Sequence, residues 1–452
     1  MKHAFIPCTR ILASALFLSV LAPSSVAQTT AADVDKLGKE LTPVGAERAA
    51  NKDGSIPAWN GGIVKPLADF DPNKGYANPF ASEKPLVTIT AANMEQYKDK
   101  LAPGQMELLK RYPSFQMKIY PSQRTAALPQ NIYDVVKAEA PKIKLAEGGN
   151  GILNMERSTV PFPVPKTGLE VQWNHQARYF GGVWTRYSAE FPVQTNGSFT
   201  PVTRVETFAA PWALDKIEPN RLYYYFARLT GPSNVAGDAM LVHEPLDQVN
   251  EPRMAWLYNP GTRRVLRAPE FAYDSPGQGA DGLRTIDDNL GFNGAPDRYE
   301  WKLVGKKEMY ISYNNFKLSD RSLKYKDMVQ SNHLNPELVR YELHRVWVVE
   351  ATLKPDVRHI YAKRVFYIDE DSWSVAHIDQ YDGRGELWRV REAHLMSFYD
   401  QPMTWAIADV LYDLQARRYL VSGMTNEEKP MVFGEKLTLN TFSTSALRRQ
   451  GN

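Results

Sequence analysis

Near the C-terminus four strand-length segments, 343–350, 360–368, 373–381 and 387–398, follow one another with only turns between them. Lys354-Pro355-Asp356, Asp369-Glu370-Asp371-Ser372 and Asp382-Gly383 supply the turn chemistry. Parallel neighbours need a long crossover, usually a helix, and none fits between these runs, so the pairing is antiparallel and a doubly wound α/β sheet is disfavoured. The same grammar begins near Arg178: Arg221 to Leu229 is strongly aromatic, and residues 254–258, Asn259-Pro260-Gly261 and 263–267 read as a hairpin. In Arg345-Val346-Trp347-Val348-Val349 and Arg364-Val365-Phe366-Tyr367-Ile368 both strand faces carry large apolar groups. A one-sided sheet alternates apolar with polar, so something must cover both faces here. A helix or the N-terminal arm is one candidate cover, and a hydrophobic ligand in a curved sheet is the other. Core aromatics alone explain any single position.

Upstream, residues 28–85 are rich in Pro, Gly, Asn and Lys, with scattered apolar points at Leu37, Leu41, Ile56, Trp59 and Ile63. That pattern predicts an extended arm docked on another surface. Helical spacing follows at Met94, Tyr97 and Leu101, at Met106, Leu109 and Tyr112, and at Ile132, Val135, Val136 and Ala140. The expected organisation is a signal peptide over 1–27, an arm with short helices over 28–150, and a curved antiparallel sheet with a C-terminal extension over 151–452.

The signal reading rests on Lys2 and Arg10, the apolar stretch 11–22, and the small-x-small site Ser25-Val26-Ala27. It predicts export to the periplasm. The only cysteine, Cys8, lies inside that segment, so a cleaved chain would have no thiol for disulfides, cysteine-ligated metals or nucleophilic catalysis. A formal charge of +3 with interspersed signs argues against nucleic acid, and no later stretch has the length and apolarity of a membrane span.

Chemical motifs are sparse. Gly277-Gln278-Gly279-Ala280-Asp281-Gly282 matches a dinucleotide fingerprint formally, but loop-forming residues flank it on both sides. Neither a Gly-x-Ser-x-Gly elbow nor a His-Glu-x-x-His helix occurs. His344, His359, His377 and His394 fall on or beside successive strands and could meet as a metal site or base, although histidines held by hydrogen bonds are commoner. Asp369-Glu370-Asp371 reads as turn chemistry. Asp281, Asp287 and Asp288 lie in the long loop 269–299, for which a lid, a docking loop, a weak cation site and a solvated connection all remain open.

Three groups of residues resemble one family: Leu41-Thr42-Pro43-Val44-Gly45 with Asp53 to Trp59; Pro161 to Lys166 with Trp173-Asn174-His175; and Gly282-Leu283-Arg284-Thr285 with Pro296 to Trp301. That family is an uncharacterised domain of exported proteobacterial proteins, grouped with the outer-membrane lipoprotein-sorting proteins of LolA/LolB type. The resemblance implies a mainly β (α+β) fold, a strongly curved antiparallel half-barrel with plugging helices and an apolar concavity for acyl chains. It also implies partners: an exporter of the resistance-nodulation-division type and an outer-membrane protein. It brings no cofactor and no catalytic residues.

The leading expectation is a periplasmic carrier or adaptor for a hydrophobic molecule or lipid, with Trp184, Tyr223, Tyr225, Trp256, Trp347 and Trp388 as the ligand-binding aromatics. The alternative is an envelope docking module that binds no lipid. A hydrolase without a recognisable motif stands third.

Overall fold

Strand grammar governs most of the molecule. The computed structural model describes residue 1 and residues 29–68, 70–269 and 273–451; the segment read as a signal, Met1 aside, lies outside them. Strands run β1 (Val87–Ile89), β2 (Met117–Tyr120), β3 (Lys144–Leu145), β4 (Ile152–Leu153), β5 (Val183–Val193), β6 (Val202–Ala209), β7 (Tyr223–Gly231), β8 (Ala239–Glu244), β9 (Met254–Asn259) and β10 (Arg264–Arg267). After a long loop come β11 (Tyr299–Ser312), β12 (Tyr341–Leu353), β13 (Lys363–Asp369), β14 (Val375–Tyr381), β15 (Leu387–Phe398), β16 (Met403–Asp413), β17 (Arg418–Met424) and β18 (Val432–Phe433). Helices are few and short: α1 (Ala31–Lys36), α2 (Pro103–Arg111), α3 (Gln130–Glu139), α4 (Gly168–Ala177), α5 (Tyr325–Met328) and α6 (Thr444–Gly451).

Sixteen strands form one sheet in which β12 to β17 meander in sequence order, β17 pairs with β5, and β5 to β10 meander onward. The pairing along that path is antiparallel, as the turn spacing predicts. β11 flanks β12, and β2 joins β12 in parallel at Tyr341 and Glu342. The sheet is large, curved and open. Register shifts at Leu303/Gly305, Tyr367/Ile368, Gln380/Tyr381 and His394/Leu395 insert bulges, which sharpen twist and curvature.

Both faces of β12 are covered by the chain itself. Val346 and Val348 pack with Tyr367, Ala393 and Leu395 against Ala102, Met309 and Ile311. On the other face Val349, Ala351, Phe366 and Ile368 meet Val44 of the arm, Val136 of α3 and Val171 of α4. The arm is therefore docked. Trp59 Nε1 donates to the Ala126 carbonyl at 3.0 Å, Trp373 Nε1 donates to the Val44 carbonyl at 3.0 Å, and Ile56 is 1% exposed.

α4 is sequestered inside the fold. Thr167 caps it and Glu170 closes the capping box, while every residue except Leu169 is buried. Trp173 Nε1 donates to the Gly149 carbonyl at 2.9 Å, and Asn174 brackets Phe162 by accepting from its N–H (2.8 Å) and donating to its carbonyl (2.7 Å). The Trp173-Asn174-His175 signature thus braces the plug.

The acidic turn is packed inside the molecule rather than open to solvent. Asp369, Glu370 and Asp371 are all buried. Arg124 donates to Asp371 through Nε at 2.9 Å and Nη2 at 2.7 Å, and Asp369 accepts from Ser372 N–H and Oγ. Composition identified the turn; the arm packed over it, which sequence does not show, removed the water.

Candidate functional site

Strands β5 to β8 carry one set of side chains on a single face, as period-two alternation requires. Register pairs Trp184 with Phe208, Arg186 with Glu206, Phe208 with Tyr225, and Tyr225 with Val242. These groups, with Phe180, Trp405 and the loop before β11, line a cleft whose empty volume, counted to its open mouth, is about 1010 Å³.

One wall is aromatic. Trp184 and Phe208 stack with centroids 5.3 Å apart at 6°, Trp405 approaches Trp184 to 4.9 Å, and Phe180 lies 5.6 Å from Trp405. Tyr223 stands 5.6 Å from Phe208.

The other wall is ionic. Arg186 grips Glu206 through Nε at 2.8 Å and Nη2 at 3.0 Å, and the same carboxylate accepts from Tyr225 Oη at 2.6 Å and Ser188 Oγ at 2.7 Å. Burial pushes Glu206 up, but Arg186, Arg204 and Tyr225 together hold it down at about 2. Glu190 receives both Arg204 (3.1 Å) and Arg284 (3.2 Å), and Arg253 pairs with Glu244. Among the described residues the lining contains no serine, cysteine or histidine, and its only carboxylate, Glu206, is committed to these partners. Nothing among the described residues of the cleft forms a nucleophile–base pair.

The loop 273–298 closes the cleft, contributing Ile286, Asn289, Leu290, Phe292 and Asn293. His175 of α4 pins it: Nε2–H donates to the Leu290 carbonyl at 3.0 Å while Nδ1 accepts from Val375 N–H at 3.1 Å. Burial, then the Arg178 charge, keeps this imidazole neutral. Gly291 permits the close approach, because at its φ of 101° a Cβ would stand 2.6 Å from Arg391 Nη1.

Asp287 and Asp288 fasten the loop to the sheet rather than face solvent. Asp287 accepts from Arg364 Nη2 at 2.6 Å and Thr285 Oγ1 at 2.6 Å, with His359 Nε2 3.1 Å away. Asp288 accepts from Gln380 Nε2 at 2.6 Å, Tyr361 Oη at 2.9 Å and Thr285 N–H at 3.1 Å. Asp281 is different: it is exposed and pairs with Arg418. The glycine motif at 277–282 has neither a strand before it nor a helix after it; it is a turn, closed by Gly277 N–H donating to the Arg284 carbonyl at 2.8 Å.

Of the six candidate aromatics, Trp184, Tyr223 and Tyr225 line the cleft. Trp256 does not. It pairs in register with Leu241, whose neighbours Met240 and Val242 take the cleft face, so its ring lies on the opposite face against His243 at 4.9 Å. Trp347 stacks on Trp373 under the arm, 6.2 Å away, and Trp388 donates to the Asp413 carboxylate at 3.1 Å beside Arg389. Sequence reading missed Arg178, Arg204, Arg284, Phe208 and Trp405. A signal existed for part of the set: Arg204, Glu206 and Phe208 alternate along one strand, placing charges on an aromatic face.

The four histidines do not converge. His377 contacts Asp379 at 2.8 Å, His394 contacts Ser312 Oγ at 2.7 Å, and His359 joins Asp287. His344 lies between Glu342 Oε2 at 3.2 Å and Asp369 Oδ1 at 3.5 Å, grouped with Asp371. Burial disfavours its charge, but the two carboxylates outweigh burial and raise it to about 9, whereas burial alone pushes His394 down to about 3. Because the folded value of His344 exceeds the ordinary 6.5, its contribution is complete below that pH and is lost as pH rises through about 9. We expect His344 ring resonances to stay in the imidazolium position from pH 5 to 8. His344→Gln should flatten part of the stability decline between pH 6.5 and 9; an unchanged decline would contradict the assignment.

Comparison with known proteins gives the following likenesses. The family model described as "Protein of unknown function (DUF1329)" matches residues 88–448. An uncharacterized protein of Pseudomonas aeruginosa is 51% identical over 442 residues, covering 96% of this chain and 97% of its own. Among solved structures, a DUF1329 family protein from Desulfovibrio piger is similar with TM-score 0.44 and 13% identity, over 62% of this chain and 97% of that one. A putative outer membrane lipoprotein-sorting protein domain from Vibrio parahaemolyticus gives TM-score 0.43 and 15% identity, with the same coverages. No helix among the described residues is long and apolar enough to cross a membrane.

Proposed function

The chain belongs to the DUF1329 family, and on that footing we propose that it is a binding protein that carries a hydrophobic molecule in the cleft between β5–β8 and the loop before β11. The observation that carries this reading is the continuous aromatic wall of Phe180, Trp184, Phe208 and Trp405 beside an open mouth, with no reactive side-chain pair in the lining. Its place of work is the periplasm, and its partners, by the resemblance that first named them, are an exporter and an outer-membrane protein that pass the load along. A guest burying about 300 Å² of apolar surface gains roughly 7 kcal/mol before association costs at about 25 cal/mol per Å². Micromolar affinity needs about 8 kcal/mol net. Holding is therefore modest, which suits transfer.

The test is saturable binding of an environment-sensitive acyl probe to delipidated protein. Met240→Trp, on a half-buried cleft position of β8, should fill the space and weaken the probe at least about tenfold, since overpacking excludes the guest. Trp256→Gln, on the opposite face, should leave affinity unchanged. Equal loss in both variants, or no binding at high micromolar concentration, would favour the docking-module reading instead.

A further inference from the structure

The cleft is oversupplied with cations and with hydrogen-bond donors. Among the described residues five arginines line it, Arg178, Arg186, Arg204, Arg253 and Arg284, and three carboxylates pair with them, Glu190, Glu206 and Glu244. Glu190 serves two guanidinium groups. Arg178 is served by none: its Nη1 donates to the His175 carbonyl, and its guanidinium carbon lies 4.3 Å from the Phe180 ring centroid. It is 8% exposed, and its Nε has no hydrogen-bond partner.

The orphaned polar atoms point to the same chemistry. Among the described residues, every buried side-chain atom of the lining that lacks a hydrogen bond is a donor: Gln176 Nε2, Arg178 Nε, Trp184 Nε1, Arg204 Nε and Arg284 Nε, while Arg204 Nη2 keeps its ion pair to Glu190. No acceptor in the lining shares that condition. Buried donors without partners are costly, and a buried guanidinium without a counter-charge more so. Burial first and the neighbouring Arg391 second lower Arg178 to about 9, with Asp409 opposing, as expected where negative charge is short.

We propose that the load is an amphipathic anion, its apolar body against Trp184, Phe208 and Trp405 and its carboxylate or phosphate head at the Arg178 guanidinium. A planar guanidinium binds either group with two parallel N–H···O bonds, which a neutral alcohol or ester head does not reproduce. Phe180 joins the two halves, lying against Arg178 on one side and 5.7 Å from Phe208 on the other. This inference rests on the carrier reading above and narrows its ligand class.

The experiment is displacement of a neutral fluorescent acyl probe from the delipidated full chain by oleate, oleoyl lysophosphatidate and monoolein. Both anions should displace at least tenfold more effectively than monoolein, and the better of the two identifies the head group. Arg178→Gln should remove most of that preference while leaving monoolein unchanged, and Arg178→Lys should retain part of it. Parity of the anions with monoolein in the wild-type protein overturns the anion proposal and leaves the carrier reading standing. Absence of probe binding fells the carrier reading itself. A preference that survives in folded Arg178→Gln overturns the role of Arg178; should that variant not fold by circular dichroism, the wild-type ratio alone decides.

Discussion

Asp287→Ala is expected to destabilise the protein by about 3–5 kcal/mol, the cost of leaving a buried cation without its partner. Arg364 is 0% exposed and gives its shortest ion pair to this carboxylate. Burial would raise Asp287, but Arg364, His359 and Thr285 outweigh it and hold it at about 2. A depressed folded value means that the contribution is present above the ordinary 3.8 of an aspartate and is lost as pH falls through about 2. Urea midpoints for wild type and variant should therefore converge in strong acid. Asp281→Ala, an exposed partner of Arg418, should cost under about 1 kcal/mol. Equal midpoints for the two variants at neutral pH would contradict the anchoring of the loop. Because the same loop supplies Leu290 and Phe292 to the cleft, Asp287→Ala should also weaken acyl-probe binding.

Trp373→Ala should cost about 3–5 kcal/mol through lost burial and a cavity. The indole is 1% exposed, stacks on Trp347 at 12° and donates to the Val44 carbonyl at 3.0 Å. The loss includes a tie between arm and sheet, so limited proteolysis should cut within residues 29–63 sooner in the variant. Trp347→Ala should cost less, since that ring is only half-buried under Lys306 and the arm. An arm equally protected in Trp373→Ala would show that other contacts hold it.

The meander was readable because its evidence is local: turns at Lys354-Pro355-Asp356 and Asp382-Gly383 delimit strands whose partners are their sequence neighbours. The doubly apolar strand at 345–349 correctly demanded covers on both faces, and the arm and α4 provide one of them. The junction of β17 with β5 was not readable, because residues so far apart carry no local mark of pairing. The cleft was half legible for the same reason. Trp184, Tyr223 and Tyr225 were found by residue type, but type alone does not say which face of a strand a ring takes. The Leu241–Trp256 register sends Trp256 to the other side. The acids at 370–371 and 287–288 read as loop residues, and they are, while Asp369 ends β13; their burial comes from the arm, α4 and the sheet packing onto them, a tertiary effect with no sequence period.

The most direct test of the proposal that the cleft holds a hydrophobic load is organic extraction of the protein purified from its native cells, followed by mass spectrometry. The expected result is a lipid-soluble compound at about one per chain, absent from an extract of folded Met240→Trp. An empty extract from the wild-type protein, or the same compound at the same yield from the blocked variant, would contradict the account.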